Sequence, residues 1–175
     1  MGRVLALSKK LGQWGIFSSI GIHVARYQGG DYLAQSGEPR SFDYWRSLAF
    51  ASFGFYCGGV YHWVYGPIYT FLFLQRGVSA LPVVLFDYAV TAQVLYFPPY
   101  YLLQDFIRSE TPSCTRALEQ CSAQRWEDFQ ALISVFLPLS WFNYSFVPSC
   151  WRGTFSGVAG LVWAIRLSNL RGIEV

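Results

Sequence analysis

Between Phe129 and Ile165 the chain holds one formal charge, Arg152, and between Ser47 and Gln75 it holds none. Each stretch exceeds the roughly 20 residues a helix needs to cross a hydrocarbon layer. A guanidinium is costly against acyl chains, so Arg152 has to face a protein interior, a partner or a water-filled cavity. Composition agrees: 53% of residues are hydrophobic and 13% charged, against about 25% charged in soluble domains. These features predict an all-α chain, residues 1–175 forming one multi-pass transmembrane helical bundle.

Four spans are expected, at about 14–35, 47–75, 78–103 and 149–167, with one intermediate interfacial or re-entrant helix at about 126–147. The first carries Ser19, His23, Arg26 and Gly30 at helical spacing, a polar side that a neighbour must cover. In the second, Gly54-x3-Gly58 and Gly59 let helices approach closely, and Gly66-Pro67 bends its end. The third has Asp87 as its only acid and Pro98-Pro99 as a kink or stop. Thr111-Pro112 reads as an N-cap followed by a first-turn proline, opening a surface helix over 112–124. The intermediate helix is broken at Pro138; lying in the interface, re-entering and crossing all suit its sequence. Aromatic residues near the ends of apolar runs, Tyr44-Trp45, Tyr100-Tyr101 and Trp151, suit the headgroup layer.

Buried charges in a membrane are tolerated chiefly as pairs. Asp87 and Arg152 are therefore the expected ion pair of the third and fourth spans, a clamp rather than a gate, with Arg26 or Asp31 as substitute partners. His23, Arg26, Asp31, His62 and Asn143 are the expected polar residues of the bundle, His62 as a hydrogen-bonded core residue and Asn143 as a local cap near the break at Pro148. Arg166 and Arg171 are candidates for a phospholipid or cardiolipin headgroup. Cys114 and Cys121 would lie about 10.5 Å apart along one helix, beyond the roughly 7 Å that a disulfide bridges.

The two histidines are far apart and no Cys-x2-Cys occurs, so no metal site is expected, and no cofactor. Neither a nucleophile elbow nor a phosphate-cradling glycine loop is present, so no catalytic residue is assigned and the chain is not expected to be an enzyme. A net charge of +3 without clustered Lys and Arg excludes a nucleic-acid partner. The first thirty residues hold Arg3, Lys9, Lys10 and Arg26 but no acid, the bias of mitochondrial import signals. Four spans would put both chain ends on one side, where Lys and Arg are slightly in excess, which favours the matrix.

Several boxes fall in a fixed order: Gly30-Asp31-x3-Gln35, then Arg46 to Gly58 followed by His62 and Tyr65, then Asp87, then Asn143-x4-Pro148-x3-Arg152-x10-Trp163-x3-Leu167-Ser168. This order resembles the family of the 22-kDa peroxisomal membrane protein and its mitochondrial inner-membrane relatives, the Mpv group, over roughly residues 14–168. The resemblance makes Gly30, Asp31, Gln35, Arg46, Pro148, Trp163 and Ser168 signature positions. It implies a multi-pass protein of the mitochondrial inner membrane, favoured over the peroxisomal membrane because the chain ends in Gly-Ile-Glu-Val rather than Ser-Lys-Leu. Departures at Gly59, Tyr88, Gln93 and Tyr144, with the glycine and aromatic packing surfaces, favour an accessory structural subunit of a larger complex, whose partners are other subunits and membrane lipids. The alternative implied by the resemblance is a small-solute channel or carrier serving metabolite homeostasis.

Overall fold

The computed structural model describes the backbone of residues 2–68, 71, 82, 85–146 and 152–172, and the side chains of 15–64, 71, 82, 85–142, 146 and 155–172. Among the described residues five α-helices follow one another: α1 (Gly2–Ser36), α2 (Tyr44–Val60), α3 (Phe97–Arg108), α4 (Cys114–Phe146) and α5 (Arg152–Arg171). Wider π-helical turns extend α2 over Tyr61–Ile68 and precede α3 over Asp87–Tyr96. The described residues contain no strand.

Prolines explain where the wide turns fall. A proline ring clashes with the carbonyl four residues back and offers that carbonyl no N–H. Pro67 sits inside the first wide turn, and Pro98 and Pro99 open α3 just after the second. The Leu95 carbonyl, which the fourth residue on, Pro99, cannot serve, accepts instead from the Tyr56 hydroxyl at 3.0 Å. Thus Pro98-Pro99 starts a helix that runs on to Arg108, where the sequence suggested a stop near Leu103.

Each helix packs antiparallel to the next, and α5 closes back on α1, so the five form a ring. Ser19 meets Gly58 and Asp31 meets Arg46 between α1 and α2; Tyr101 meets Asp128 between α3 and α4; Phe142 stacks on Phe155 between α4 and α5. Arg26 lies on Gly160 and Asp31 bonds Ser168, so α1 and α5 run parallel. Close approach depends on glycine: a Cβ on Gly54 would sit 2.8 Å from the His23 carbonyl oxygen, and one on Gly58 would strike the Ile20 backbone. Gly59, expected in the same contact, faces open space.

The ring is filled by aromatics. Phe53 packs edge-on against Tyr27, Tyr96 and Tyr100 at 5.0, 4.8 and 5.2 Å, geometries that rings prefer over face-to-face stacking. Tyr96 is the hub, taking a hydrogen bond from Trp163 Nε1 and sharing one with the Tyr27 hydroxyl, each at 2.6 Å.

Several expected boundaries need correction. The first span belongs to one helix from Gly2 to Ser36, and of the last, residues 152–167 lie in the helix Arg152–Arg171 while 149–151 fall outside the described residues. The second is not one helix, since α2 ends at Val60 and passes into the wide turn. The separate surface helix and intermediate helix are one, α4, which continues through the outward-facing Pro138. Its N-cap is Ser113 rather than Thr111: the Ser113 carbonyl takes the Ala117 N–H at 3.1 Å and its hydroxyl takes the Arg116 N–H at 3.4 Å. With α4 running the full length, α1 begins and α5 finishes at opposite ends of the ring, not at the same end. No helix among the described residues is long and apolar enough to cross a membrane.

Candidate functional site: a polar clasp at one end of the ring

The last turn of α1, the first of α2 and the last of α5 meet around Asp31, whose side chain is wholly buried. A carboxylate there is stable only if its lone pairs are met. Arg46 Nε donates to Oδ1 at 2.9 Å, the Ser168 hydroxyl donates to Oδ1 at 2.7 Å, and Gln35 Nε2 donates to Oδ2 at 2.8 Å. Arg46 then spends its other nitrogens on both oxygens of Glu38, at 2.8 and 3.1 Å, and on the Ser168 hydroxyl at 2.6 Å. Planar guanidinium geometry allows such forked pairing, which lysine does not.

Local sequence sets this up. Asp43 caps α2, its Oδ1 accepting the Arg46 N–H at 2.9 Å, which aims the Arg46 side chain back across α1. Gln35 grips the same residue by its backbone, accepting the Asp43 N–H at 2.6 Å. Gly30 and Gly172 clear the space: a Cβ on Gly30 would lie 2.6 Å from that of Ala164, and one on Gly172 would collide with the Arg46 guanidinium.

The network continues around the ring. Arg108 pairs with Asp43 Oδ2 at 3.0 Å and donates to the Gly172 carbonyl at 2.8 Å. Arg171 pairs with Asp128 at 2.9 Å and Glu127 at 2.6 Å, and Asp128 also accepts the Tyr101 hydroxyl at 2.6 Å. Arg116 holds Asp105 at 2.6 Å. Burial works against the Arg171 charge, but its hydrogen bonds to Glu127 and Asp128 outweigh that and hold its pKa above the usual guanidinium value. A polar pocket of about 290 Å³ opens here, lined by Tyr101, Gln104, Asp105, Arg116, Gln124 and Arg171 among others.

Of the signature positions, Gly30, Asp31, Gln35, Arg46 and Ser168 converge in the clasp, and Trp163 lies one to two turns below, bonded to Tyr96. His23 is buried, its Nδ1 2.8 Å from the Ser19 carbonyl, and its ring faces Tyr61 at 5.1 Å. His62 is half-buried beside Gly15. Asp87 opens the second wide turn, half-buried. The side chains of Asn143, Pro148 and Arg152 lie outside the described residues, and so therefore does the expected Asp87–Arg152 pair. Asp31, offered as a substitute partner for Arg152, is taken by Arg46.

Arg171 does not suit a lipid headgroup. Its side chain is 3% exposed and bound to two carboxylates, and across the clasp six carboxylates surround four guanidiniums, a balance that repels phosphate. Arg166 is exposed at the same end. Glu38, Arg108, Asp105, Arg116, Glu127 and Asp128 were not singled out from the sequence. Asp43 three residues before Arg46 was the one local signal, a cap spacing. Cys57 and Cys121 are buried free thiols and Cys114 an exposed one, and the described residues include no group of metal ligands. Comparison of the chain with protein-family models, with characterised proteins and with solved structures returned no match.

Proposed function

We propose that this chain is a non-catalytic integral protein of the mitochondrial inner membrane, an accessory structural subunit of a larger complex. The observation that carries the membrane part is its inverted polarity. Buried Asp31, Arg46, Asp128 and Arg171 lie inside, while Phe17, Ile22, Phe55, Val94 and Val158 are each more than half exposed. Among the described residues, every exposed formal charge (Arg40, Glu110, Glu119, Arg125, Glu127 and Arg166) sits at the clasp end or in the loops beside it. A helix in a bundle needs to be apolar only on its lipid side; inward Ser19, His23 and Arg26 lower the average hydropathy of α1 without touching acyl chains.

Exposed aromatics support the same reading. Trp126 and Trp141, 67% and 64% exposed, both lie on α4, about 22 Å apart along its axis. Tyr44 and Trp45 at one end of α2, and Tyr61 and Trp63 beyond the other, are similarly exposed. Two such girdles match the interfaces of a bilayer core about 30 Å thick. The basic, acid-free start of the chain and the Mpv-type resemblance favour the mitochondrial inner membrane. A structural role is favoured over a channel because Phe53, Tyr27, Tyr96 and Trp163 fill the ring axis where a wet path would run.

Alkaline carbonate extraction of mitochondria is expected to leave the chain in the membrane pellet; release into the supernatant would refute the membrane reading. Native gels after mild-detergent extraction are expected to place it in a defined large assembly, and migration only as a monomer or small homo-oligomer would refute the subunit reading.

A further inference from the structure

The polar pocket of about 290 Å³ lies between the end of α3, the start of α4 and the end of α5, close to the roughly 300 Å³ at which small-molecule sites begin. Tyr101, Gln104, Asp105 and Arg171, which line it, are all buried, and Gln120, exposed, stands at its mouth. Gln104 is 5% exposed. Its Nε2 donates to the Arg171 carbonyl at 2.8 Å, which fixes the orientation of the amide and leaves Oε1 without a donor among the described residues. An acceptor so far inside a fold ordinarily has a partner. The pocket is at the end of the ring where the exposed charges gather, so a solute in water reaches it.

Donors come from α4 and the loop before it. Arg116 uses Nε and Nη2 on Asp105 Oδ1 at 2.8 and 2.6 Å, and Nη2 also on the Ser109 hydroxyl and the Thr111 carbonyl. Its Nη1 has no acceptor among the described residues. The Ser109 oxygen accepts from Arg116 and from the Thr111 N–H, so its own proton is left to donate. Asp105 spends its second oxygen on the Ser113 N–H at 2.7 Å. The lining therefore offers two donors that suit a carboxylate and one buried acceptor that suits an N–H. Charge narrows the choice. Arg116 and Arg171 are already answered by Asp105, Glu127 and Asp128, so a plain anion would meet an excess of carboxylates, and a plain cation would leave both donors unmet. A zwitterion serves all three groups and adds no net charge.

We propose that this pocket binds a free α-amino acid with a small uncharged side chain, its carboxylate held by Arg116 Nη1 and the Ser109 hydroxyl and its ammonium by Gln104 Oε1. The Asp105 and Asp128 carboxylates nearby favour a positive group at that acceptor. A volume of about 290 Å³ is that of roughly ten waters at about 30 Å³ each, which limits the ligand to about this size. The site stands independently of the subunit reading above.

The test uses the full chain purified in detergent micelles. Isothermal titration with glycine, L-alanine and L-serine in turn is expected to show saturable one-site binding of at least one of them, with a Kd below about 1 mM. The N-acetylated and the C-amidated forms of the same amino acid, each lacking one charge, are expected to bind at least tenfold more weakly. Gln104→Leu is expected to weaken binding at least tenfold. Because Gln104 also holds the Arg171 carbonyl, Gln120→Trp is the second variant: the position is exposed and makes no hydrogen bond among the described residues. It is expected to block the mouth and abolish binding while leaving the thermal unfolding midpoint unchanged. Absence of saturable binding by all three amino acids overturns the inference. Wild-type affinity in both Gln104→Leu and Gln120→Trp places the binding elsewhere and overturns it too, and equal affinity for the blocked forms overturns the zwitterion assignment. The subunit reading is decided separately, by the native gels.

Discussion

Replacing Asp31 by Asn removes the charge from a wholly buried side chain that accepts from Arg46, Ser168 and Gln35 at 2.7 to 2.9 Å. Arg46, itself 3% exposed, is then left with Glu38, which is 18% exposed. Breaking one side of a buried pair costs about 3–5 kcal/mol. Because Glu38 still grips the guanidinium with both oxygens, the expected loss is at the low end, about 3 kcal/mol. Removing both partners with apolar residues of similar size, Asp31→Leu with Arg46→Met, leaves no buried charge to solvate, so the double variant is expected to be more stable than Asp31→Asn. The coupling between the two sites should be about 2 kcal/mol or more. Reversible unfolding in mixed micelles titrated with a denaturing detergent, followed by far-ultraviolet circular dichroism, measures all four proteins of the cycle. A loss under about 1 kcal/mol for Asp31→Asn, or strict additivity of the single changes, would show that the clasp contributes little and that this account of it is mistaken.

Gly58→Ala is expected to destabilise by about 1–3 kcal/mol because its Cβ strikes the Ile20 backbone, whereas Gly59→Ala, facing open space, should stay within about 0.5 kcal/mol; the same unfolding assay separates them, and equal effects would contradict the packing of α1 on α2. Tyr56→Phe leaves the Leu95 carbonyl without its donor and should cost about 1–3 kcal/mol; an unchanged midpoint would mean that this carbonyl finds another partner. In a Cys150→Ser background, maleimide is expected to label Cys114 in the folded protein and to reach Cys57 and Cys121 only on unfolding, since both are buried and burial keeps Cys121 in the protonated thiol form; mass spectrometry showing early labelling of Cys121 would contradict the placement of that face of α4 against α3.

Much of the helical content is legible from the chain because it depends on local features. Runs such as Ser47 to Val60 are apolar and free of proline, and Gly54 and Gly58 at one helical spacing mark a face for close approach. The boundaries were less legible. Pro138 reads as a break, yet the helix runs through it with the ring exposed, at the cost of the backbone hydrogen bond that its missing N–H would have made. Pro98-Pro99 reads as a kink or stop, yet a proline tolerated at a helix start does not end one. The joined α4 follows, and with it the start of α1 and the finish of α5 at opposite ends of the ring.

The charge pairing was the least legible. Asp31 and Arg46 are fifteen positions apart and Asp31 and Ser168 far more, and nothing in residue type says which acid meets which base. Ordered spacing drew attention to Gly30, Asp31, Gln35, Arg46, Trp163 and Ser168 individually, without indicating that five of them share one cluster.

By itself the sequence determines the scarcity of charge, the helical periodicity and the residue types available for inward polar faces, because these follow from composition and from spacing within a few turns. The tertiary structure decides which faces become inward, which carboxylate answers Arg46 and that none of the described ones answers Arg26. Those outcomes depend on the ring closure of α5 onto α1, a contact between distant parts of the chain that no local pattern encodes.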